Sequence, residues 1–143
     1  MDLTIQFDKI KLNIRVAVLA RTDKGYIFEK SNKGYLFTMG GRVKANETSL
    51  EAAQREVQEE IGYALNPDVK LIAVVENFFS TSDSAVHEIC FVYSQEEVVE
   101  IDLPDNFVQI QESDLESEDI RPEIIKKIIK SSRNGISHYL IKQ

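Results

Sequence analysis

The segment 41–63, GRVKANETSLEAAQREVQEEIGY, constrains the fold of this chain more than any other. It predicts a helix that begins near Thr48 or Ser49, because hydroxyl side chains cap helix N-termini well. Gly62 is suited to end the helix, since glycine readily adopts the left-handed conformation found after the last turn. Between these ends, apolar side chains repeat at helical spacing: Leu50, Ala53, Val57 and Ile61. The segment is therefore an amphipathic helix that must bury one face against the rest of the fold.

A second face of the same helix carries three carboxylates, because Glu56, Glu59 and Glu60 stand at positions i, i+3 and i+4. At about 100° per residue they lie beside the apolar stripe, with Glu60 closest to it. Like charges at this spacing repel, so we expect a cation to compensate them. Carboxylates suit hard divalent ions, and the Gly40–Gly41 backbone can add a carbonyl ligand without a side chain in the way. Taken alone, three such glutamates more often form a solvated helix face than a metal site.

Alternating apolar residues predict strands on both sides of this helix. Residues 11–20, KLNIRVAVLA, fit a strand that is half-buried at its start and buried on both faces at its end. The turn signals at 23–25 and 32–34 each precede a further short strand. Residues 69–79 and 85–93 are also strand-like, and the polar residues between them predict a hairpin.

A last helix is predicted after Pro122 and is expected to end at Asn134–Gly135. Its apolar stripe is Ile124, Ile125, Ile128 and Ile129. The lysines expected to face water near its C-terminal end are Lys126, Lys127 and Lys130. Strands interleaved with helices predict an α/β (α+β) fold, in which a mixed β-sheet has helices on both faces. The length of 143 residues fits a single domain, residues 1–143.

Composition argues against several classes of function. The formal net charge of −7 argues against a long nucleic acid as partner, because binding its phosphates needs clustered lysine and arginine. No apolar run approaches the roughly 18 to 20 residues that span a bilayer, so no membrane partner is expected. Cys90 is the single cysteine and cannot form an intrachain disulfide, which predicts a reducing, cytoplasmic location. Its apolar neighbours favour a core residue over a nucleophile.

The segment 41–63 resembles the Nudix box, the signature of the Nudix hydrolases. That signature is a glycine, five residues, a glutamate, seven residues, Arg-Glu, an aliphatic residue, any residue, Glu-Glu, any residue, and a glycine followed by an aliphatic residue. The seven fixed letters all occur here at that spacing: Gly41, Glu47, Arg55, Glu56, Glu59, Glu60 and Gly62. Such a match arises by chance on the order of once in 10⁸ starting points. The one departure is Tyr63, where an aliphatic residue is usual.

The resemblance implies a Nudix-type, MutT-like α/β/α sandwich with a metal-dependent active site. It implies that Glu56, Glu59 and Glu60 bind Mg²⁺ or Mn²⁺, helped by a carbonyl of Gly40 or Gly41. Glu56 is the first choice for the catalytic residue that orients or deprotonates the attacking water, and Glu59 is the second.

Other residues are expected to support this site or to contact the substrate. By the same resemblance, Glu47 and Arg55 form an ion pair that holds the preceding loop against the helix. Arg15 and Arg42 are candidates to meet substrate phosphates, with plain surface charge as the alternative for Arg42. Phe79 could stack on a base, although core packing is the commoner role for such a residue.

The implied activity is hydrolysis of the diphosphate linkage in a small nucleoside diphosphate derivative, by attack of water at phosphorus. Nucleotide sugars or ADP-ribose, nucleoside triphosphates and dinucleoside polyphosphates are all candidate substrates. The alternative is a non-catalytic Nudix-type domain that senses a nucleotide or binds a protein. Such domains usually lack some box glutamates, and none is missing here. Small hydrolases of this family commonly form homodimers. Some add a further carboxylate, for which Glu100 is the first candidate and Glu97 and Asp102 are competitors.

Overall fold

A computed structural model of the chain describes residues 1–131 and 134–142. Within those residues the regular structure comprises strands, two α-helices and one 3-10 helix. In chain order these are β1 (Thr4–Phe7), β2 (Ile10–Leu19), β3 (Arg21–Thr22), β4 (Gly25–Lys30), β5 (Leu36–Phe37), β6 (Met39–Arg42), α1 (Ser49–Ile61), β7 (Lys70–Ser80), β8 (Ala85–Ser94), β9 (Phe107–Ile110), the 3-10 helix (Glu112–Ser117), α2 (Ile124–Lys130) and β10 (Ser137–Lys142).

The larger sheet has six strands and mixes parallel with antiparallel pairs. Its order is β1–β2–β8–β7–β10, and β6 pairs with the part of β2 that lies beyond β1. β2 runs parallel to β8, and β7 runs parallel to β10. β7 and β8 are antiparallel neighbours joined by a short turn, so the predicted hairpin is confirmed.

The smaller sheet is built on β4, which pairs antiparallel with β3, β5 and β9. Its inner residues Tyr26, Ile27 and Phe28 are buried, and the chain becomes more exposed at Glu29. Glu29 therefore lies where the core gives way to the surface.

Alternate residues of β2 enter two separate hydrophobic clusters. Val16 and Val18 pack in the cluster that contains the buried stripe of α1. Ala17 and Leu19 pack in the cluster that contains the isoleucines of α2. Because successive strand residues point to opposite faces, the two helices cover opposite faces of the sheet. The predicted α/β fold, a mixed sheet with helices on both faces, is confirmed.

The C-terminal part of the chain differs from the sequence-based expectation. α2 ends at Lys130 and not at Asn134–Gly135, and β10 was not expected at all. The prediction that Lys126 faces water is wrong, because its side chain is only 8% exposed. Its stem is buried while its Nζ reaches the Glu123 carboxylate at 3.1 Å, as long cationic side chains often do. No helix among the described residues is long and apolar enough to cross a membrane.

Candidate active site

Both ends of α1 are fixed by hydrogen bonds of the predicted residues. The Thr48 hydroxyl accepts from the Glu51 N–H at 3.1 Å, and the Glu51 carboxylate accepts from the Thr48 N–H at 3.1 Å. At the other end Gly62 has φ +70° and donates its N–H to the Gln58 carbonyl at 3.0 Å. Val57 is fully buried between these ends. The rotation of α1 about its axis is therefore set, and with it the direction of its glutamates.

Arg55 and Glu47 form the predicted ion pair. Arg55 Nε donates to Glu47 Oε2 at 2.7 Å, and Nη2 donates to Glu47 Oε1 at 2.9 Å. Nη2 also donates to the Arg42 carbonyl at 3.0 Å, and Glu47 accepts from the Lys44 N–H at 2.9 Å. The hydrogen bonds from Arg55 are the main reason that the pKa of Glu47 falls to about 2. These contacts tie the loop before α1 to the helix itself.

The same guanidinium reaches two of the three box glutamates. Arg55 Nη1 lies 2.8 Å from Glu56 Oε1 and 3.4 Å from Glu59 Oε2. The Glu56 side chain is 15% exposed, whereas that of Glu59 is 55% exposed. Arg55 therefore relieves part of the repulsion for which the sequence predicts a cation.

Glu60 turns away from Arg55 and toward the glycine pair of β6. Its Oε1 accepts from the Gly40 N–H at 3.3 Å, and its Oε2 is buried without a hydrogen-bond partner among the described residues. Burial raises the pKa of Glu60 to about 8, and the negative charges of Glu29 and Glu56 add to that rise. Glu29 is a site carboxylate that sequence reasoning missed. In the sequence, Glu29 is marked only by its position directly after the apolar residues Tyr26, Ile27 and Phe28.

The glycine pair lets β6 pass close to its neighbours. A Cβ on Gly41 would occupy the space of the Glu56 carboxylate. Gly40 has φ +150°, and a Cβ there would collide with the Val16 carbonyl. The backbone thus approaches Glu56 and Glu60 as closely as a glycine allows.

The donors fit a hard divalent cation, although they are not gathered in a ready cluster. Among the described residues, no group of three or more His, Cys, Asp or Glu side chains is arranged to hold a metal ion. Arg55 contacts Glu56 and Glu59, whereas Glu60 reaches toward the Gly40 N–H. Glu60 Oε2 is nevertheless a buried oxygen without a hydrogen-bond partner in the described part of the chain, and Mg²⁺ or Mn²⁺ prefers oxygen ligands.

A cavity of about 200 Å³ lies between the larger sheet and the start of α2, and Gly40 borders it. Arg15 lines this cavity, and Arg42 stands directly opposite Arg15 in the β2–β6 pair. Phe79 does not line it and lies in a separate groove with Phe78, near the turn of the β7–β8 hairpin. The aromatic side chain that does line the cavity is Phe37. The structure thus brings both arginines to the glycine pair and leaves Phe79 apart.

The remaining predicted residues lie at other places. Glu100 and Asp102 line a separate groove with Thr22 and Gln109, so the structure does not group them with the box glutamates.

Cys90 packs against the core and also lines the cavity beside Gly40. Burial raises the pKa of its thiol to about 12, which keeps the thiol protonated at neutral pH. This state fits the predicted packing role rather than a nucleophile.

The chain matches one protein family and many solved structures. Residues 11–128 match the NUDIX domain family. The MutT protein from Bacillus halodurans is 16% identical, with a TM-score of 0.72 over 90% of both chains. The MutT protein from Methanosarcina mazei Go1 is 20% identical, with a TM-score of 0.59 over 87% of this chain and 94% of that chain. The dihydroneopterin triphosphate pyrophosphohydrolase of E. coli is 17% identical, with a TM-score of 0.57 over 83% of this chain and 92% of that one. No curated protein matches the sequence.

Proposed function

The chain belongs to the NUDIX domain family and is a Nudix pyrophosphohydrolase, and from that premise we propose its reaction. The protein cleaves the diphosphate linkage of a nucleoside diphosphate derivative, with a divalent metal ion, by attack of water at phosphorus. One observation carries the proposal. The buried Oε2 of Glu60 lacks a partner among the described residues beside Gly40, on the same helix as Glu56 and Glu59.

The ion that fits these donors is Mg²⁺ or Mn²⁺. Glu56, Glu59 and Glu60 would hold it, together with a carbonyl of Gly40 or Gly41. When bound, it neutralises charge on the diphosphate oxygens and lowers the pKa of the attacking water.

Glu56 is the residue that takes the proton from the attacking water. Its carboxylate is held in place by Arg55 Nη1 at 2.8 Å and lies against the Gly41 backbone, so it enters the reaction in a fixed position. A base acts best when it is positioned before the proton moves. Glu59 is the alternative base, but its side chain is 55% exposed and less constrained.

Arg15 and Arg42 provide local positive charge in a chain whose formal net charge is −7. They stand directly opposite each other on neighbouring strands, where like charges destabilise a sheet. Arg15 lies 4.0 Å from Glu88, which offsets only part of this repulsion. The phosphates of a substrate that passes Gly40 would offset the rest. Both arginines are therefore substrate-binding residues in the proposal.

Hydrolysis in ¹⁸O-labelled water tests the reaction. The purified protein is incubated with nucleotide sugars, ADP-ribose, nucleoside triphosphates and dinucleoside polyphosphates, each with Mg²⁺, with Mn²⁺ or with a chelator. Cleavage that needs metal and places the label on a phosphate product supports the proposal. Binding of these compounds without any turnover would instead support a nucleotide-sensing domain.

A further inference from the structure

Half of one face of the larger sheet is left exposed by the described residues. Val16 and Val18 of β2 pack in the cluster that contains α1, so the even-numbered residues of β2 point to the side of α1. Ile10 and Leu12 lie on that side but belong to neither hydrophobic cluster of the described residues. Strand pairing extends this half of the face across β1, β8, β7 and β10. We name it the open face, and its apolar members are Ile5, Phe7, Ile10, Leu12, Phe78 and Leu140.

Exposed apolar side chains are concentrated on the open face. Among the described residues eight large apolar side chains are exposed, and four of them lie here. These four are Phe7 at 67% exposed, Leu140 at 61%, Ile10 at 56% and Ile5 at 49%. Phe7 stands directly opposite Ile10 in the β1–β2 pair, so the two form one continuous surface. An apolar patch of this kind on a monomer marks an interaction site.

The open face carries no excess of charge. The ionisable residues that alternate onto it in the described part of the chain are Glu76, Lys142, His87 and His138. Glu76 Oε2 is bonded to His138 Nε2 at 2.7 Å, and Lys142 balances the charge of the carboxylate. Copies of a chain with a net charge of −7 repel each other, but this face adds nothing to that repulsion. Its one lysine is too little positive charge to attract an anionic lipid surface.

The helix α1 gives the open face a raised boundary. It packs on the other half of the same side of the sheet, beside Val16 and Val18. A helix is roughly 10 Å across, which is also about the distance between two packed sheets. A partner that lies flat on the open face must therefore end where α1 begins. A second copy turned end to end meets this condition, because its own α1 then lies beyond the opposite end of the open face.

We propose that the open face binds the open face of a second copy of this chain, in a dimer with two-fold symmetry. Both copies use the same surface in such an interface, so every contact occurs twice. Two copies of one sheet share the same twist, and twisted sheets pack face to face with their strands about 30° from alignment. This dimer goes beyond the proposed function and does not depend on the reaction.

The size of the open face predicts a weak dimer. The face crosses the strands β1, β2, β8, β7 and β10. With strands about 4.8 Å apart and about five residues of each at roughly 3.3 Å, it measures roughly 20 Å by 15 Å. Two such faces bury about 1,000 Å² once their side chains are counted, which is near the lower limit for a specific interface. We therefore expect a dissociation constant of about 1 to 100 μM.

Sedimentation velocity of the full chain, at about 1 to 500 μM and without nucleotide, tests the proposal. The weight-average sedimentation coefficient should rise from that of a monomer to that of a dimer across this range. Ile5→Ser and Phe7→Ser should each raise the dissociation constant about tenfold, because an apolar contact is lost in both copies. The control is Val98→Ser, which changes a side chain that is 48% exposed, against 49% for Ile5, and that borders a different groove. It should leave the dissociation constant unchanged.

Two results in sedimentation would overturn the proposal. One is a wild-type chain that stays monomeric up to about 500 μM. The other is a dimer that the folded Ile5→Ser and Phe7→Ser proteins form as tightly as wild type, because the contact then lies elsewhere. Flotation with phosphatidylglycerol vesicles tests the other occupant. Capture of monomeric wild type by the vesicles, lost in Phe7→Ser, would assign the open face to a membrane surface and overturn the dimer. None of these results depends on catalysis, so they hold whether or not the chain hydrolyses a nucleotide.

Discussion

The guanidinium of Arg55 binds both carboxylate oxygens of Glu47, at 2.7 and 2.9 Å. The same group also bonds the Arg42 carbonyl and the carboxylate of Glu56. One side chain therefore connects the loop before α1, the end of β6 and the proposed catalytic base. The geometry of the site depends on this residue even though it is not assigned as a metal ligand.

Arg55→Ala should lower the free energy of unfolding by about 1 to 3 kcal/mol, because charged hydrogen bonds in a half-buried setting are lost. Urea unfolding monitored by circular dichroism measures the change. Lys130→Ala removes another cation that is paired with a carboxylate, that of Glu116, but both partners are largely exposed and stability should change little. Equal losses in the two variants would contradict the bracing role of Arg55.

The raised pKa of Glu60 makes stability fall as pH rises. Its pKa is about 8 in the folded chain, against an ordinary value of 4.5 that applies once the chain unfolds. Between these values the folded chain holds a proton that the unfolded chain has released, so the stabilising contribution is complete below pH 4.5 and is lost as pH rises through 8. Glu60→Gln should flatten this slope in chelator and should be more stable than wild type at about pH 8.

Urea unfolding at several pH values measures the slope. Glu59→Gln makes the same change on the exposed neighbour and should leave the slope as in wild type. If Glu60→Gln and wild type lose stability in parallel from about pH 5 to about pH 8, burial of the Glu60 carboxyl is not the cause.

Added Mg²⁺ should raise the melting temperature of the wild-type chain at about pH 8. A ligand that binds only the native state stabilises it by about 2.7 kcal/mol at one hundred times its dissociation constant. Differential scanning fluorimetry with Mg²⁺ and with chelator gives the shift. Glu60→Gln should reduce the gain, and an undiminished gain in that variant would show that the cation binds elsewhere.

The two glycines of β6 should respond differently to alanine. A Cβ at Gly41 meets the Glu56 carboxylate and no backbone atom, so Gly41→Ala should reduce activity strongly while the free energy of unfolding changes less than in Gly40→Ala. Gly40→Ala meets the Val16 backbone at φ +150°, so strain of about 1 to 3 kcal/mol should appear in urea unfolding. If Gly40→Ala lost activity while Gly41→Ala kept the wild-type activity, the role assigned to the position of Glu56 would be contradicted.

Features that depend on local spacing were predictable from the sequence. The capping box of Thr48, the left-handed Gly62 and the buried stripe of α1 all follow from residues within four positions of one another. The Glu47–Arg55 pair followed from the resemblance of residues 41–63 to a known signature. The fold class followed from the order of helical and strand patterns.

Features that depend on how strands align were not predictable. Asn77 and Glu88 are neighbours only because β7 and β8 pair in one register, which contains an irregularity at Leu71–Ala73. The inward turn of Glu60 depends on β6 passing beneath it, and α1 alone does not show that approach. The strand β10 has a regular alternation of half-buried and exposed residues, but six residues after a helix are too few to predict a pairing partner.

The rate of diphosphate hydrolysis in wild-type and Glu56→Gln protein tests the central claim most directly. With Mg²⁺, wild type should hydrolyse at least one nucleoside diphosphate derivative, and Glu56→Gln should lower kcat by about 10² to 10⁴, the usual contribution of a general base. The exposed Glu112→Gln should match wild type, and chelator should abolish the reaction in all three proteins. Hydrolysis by folded Glu56→Gln protein at the wild-type rate, or undiminished hydrolysis in chelator, would contradict the account.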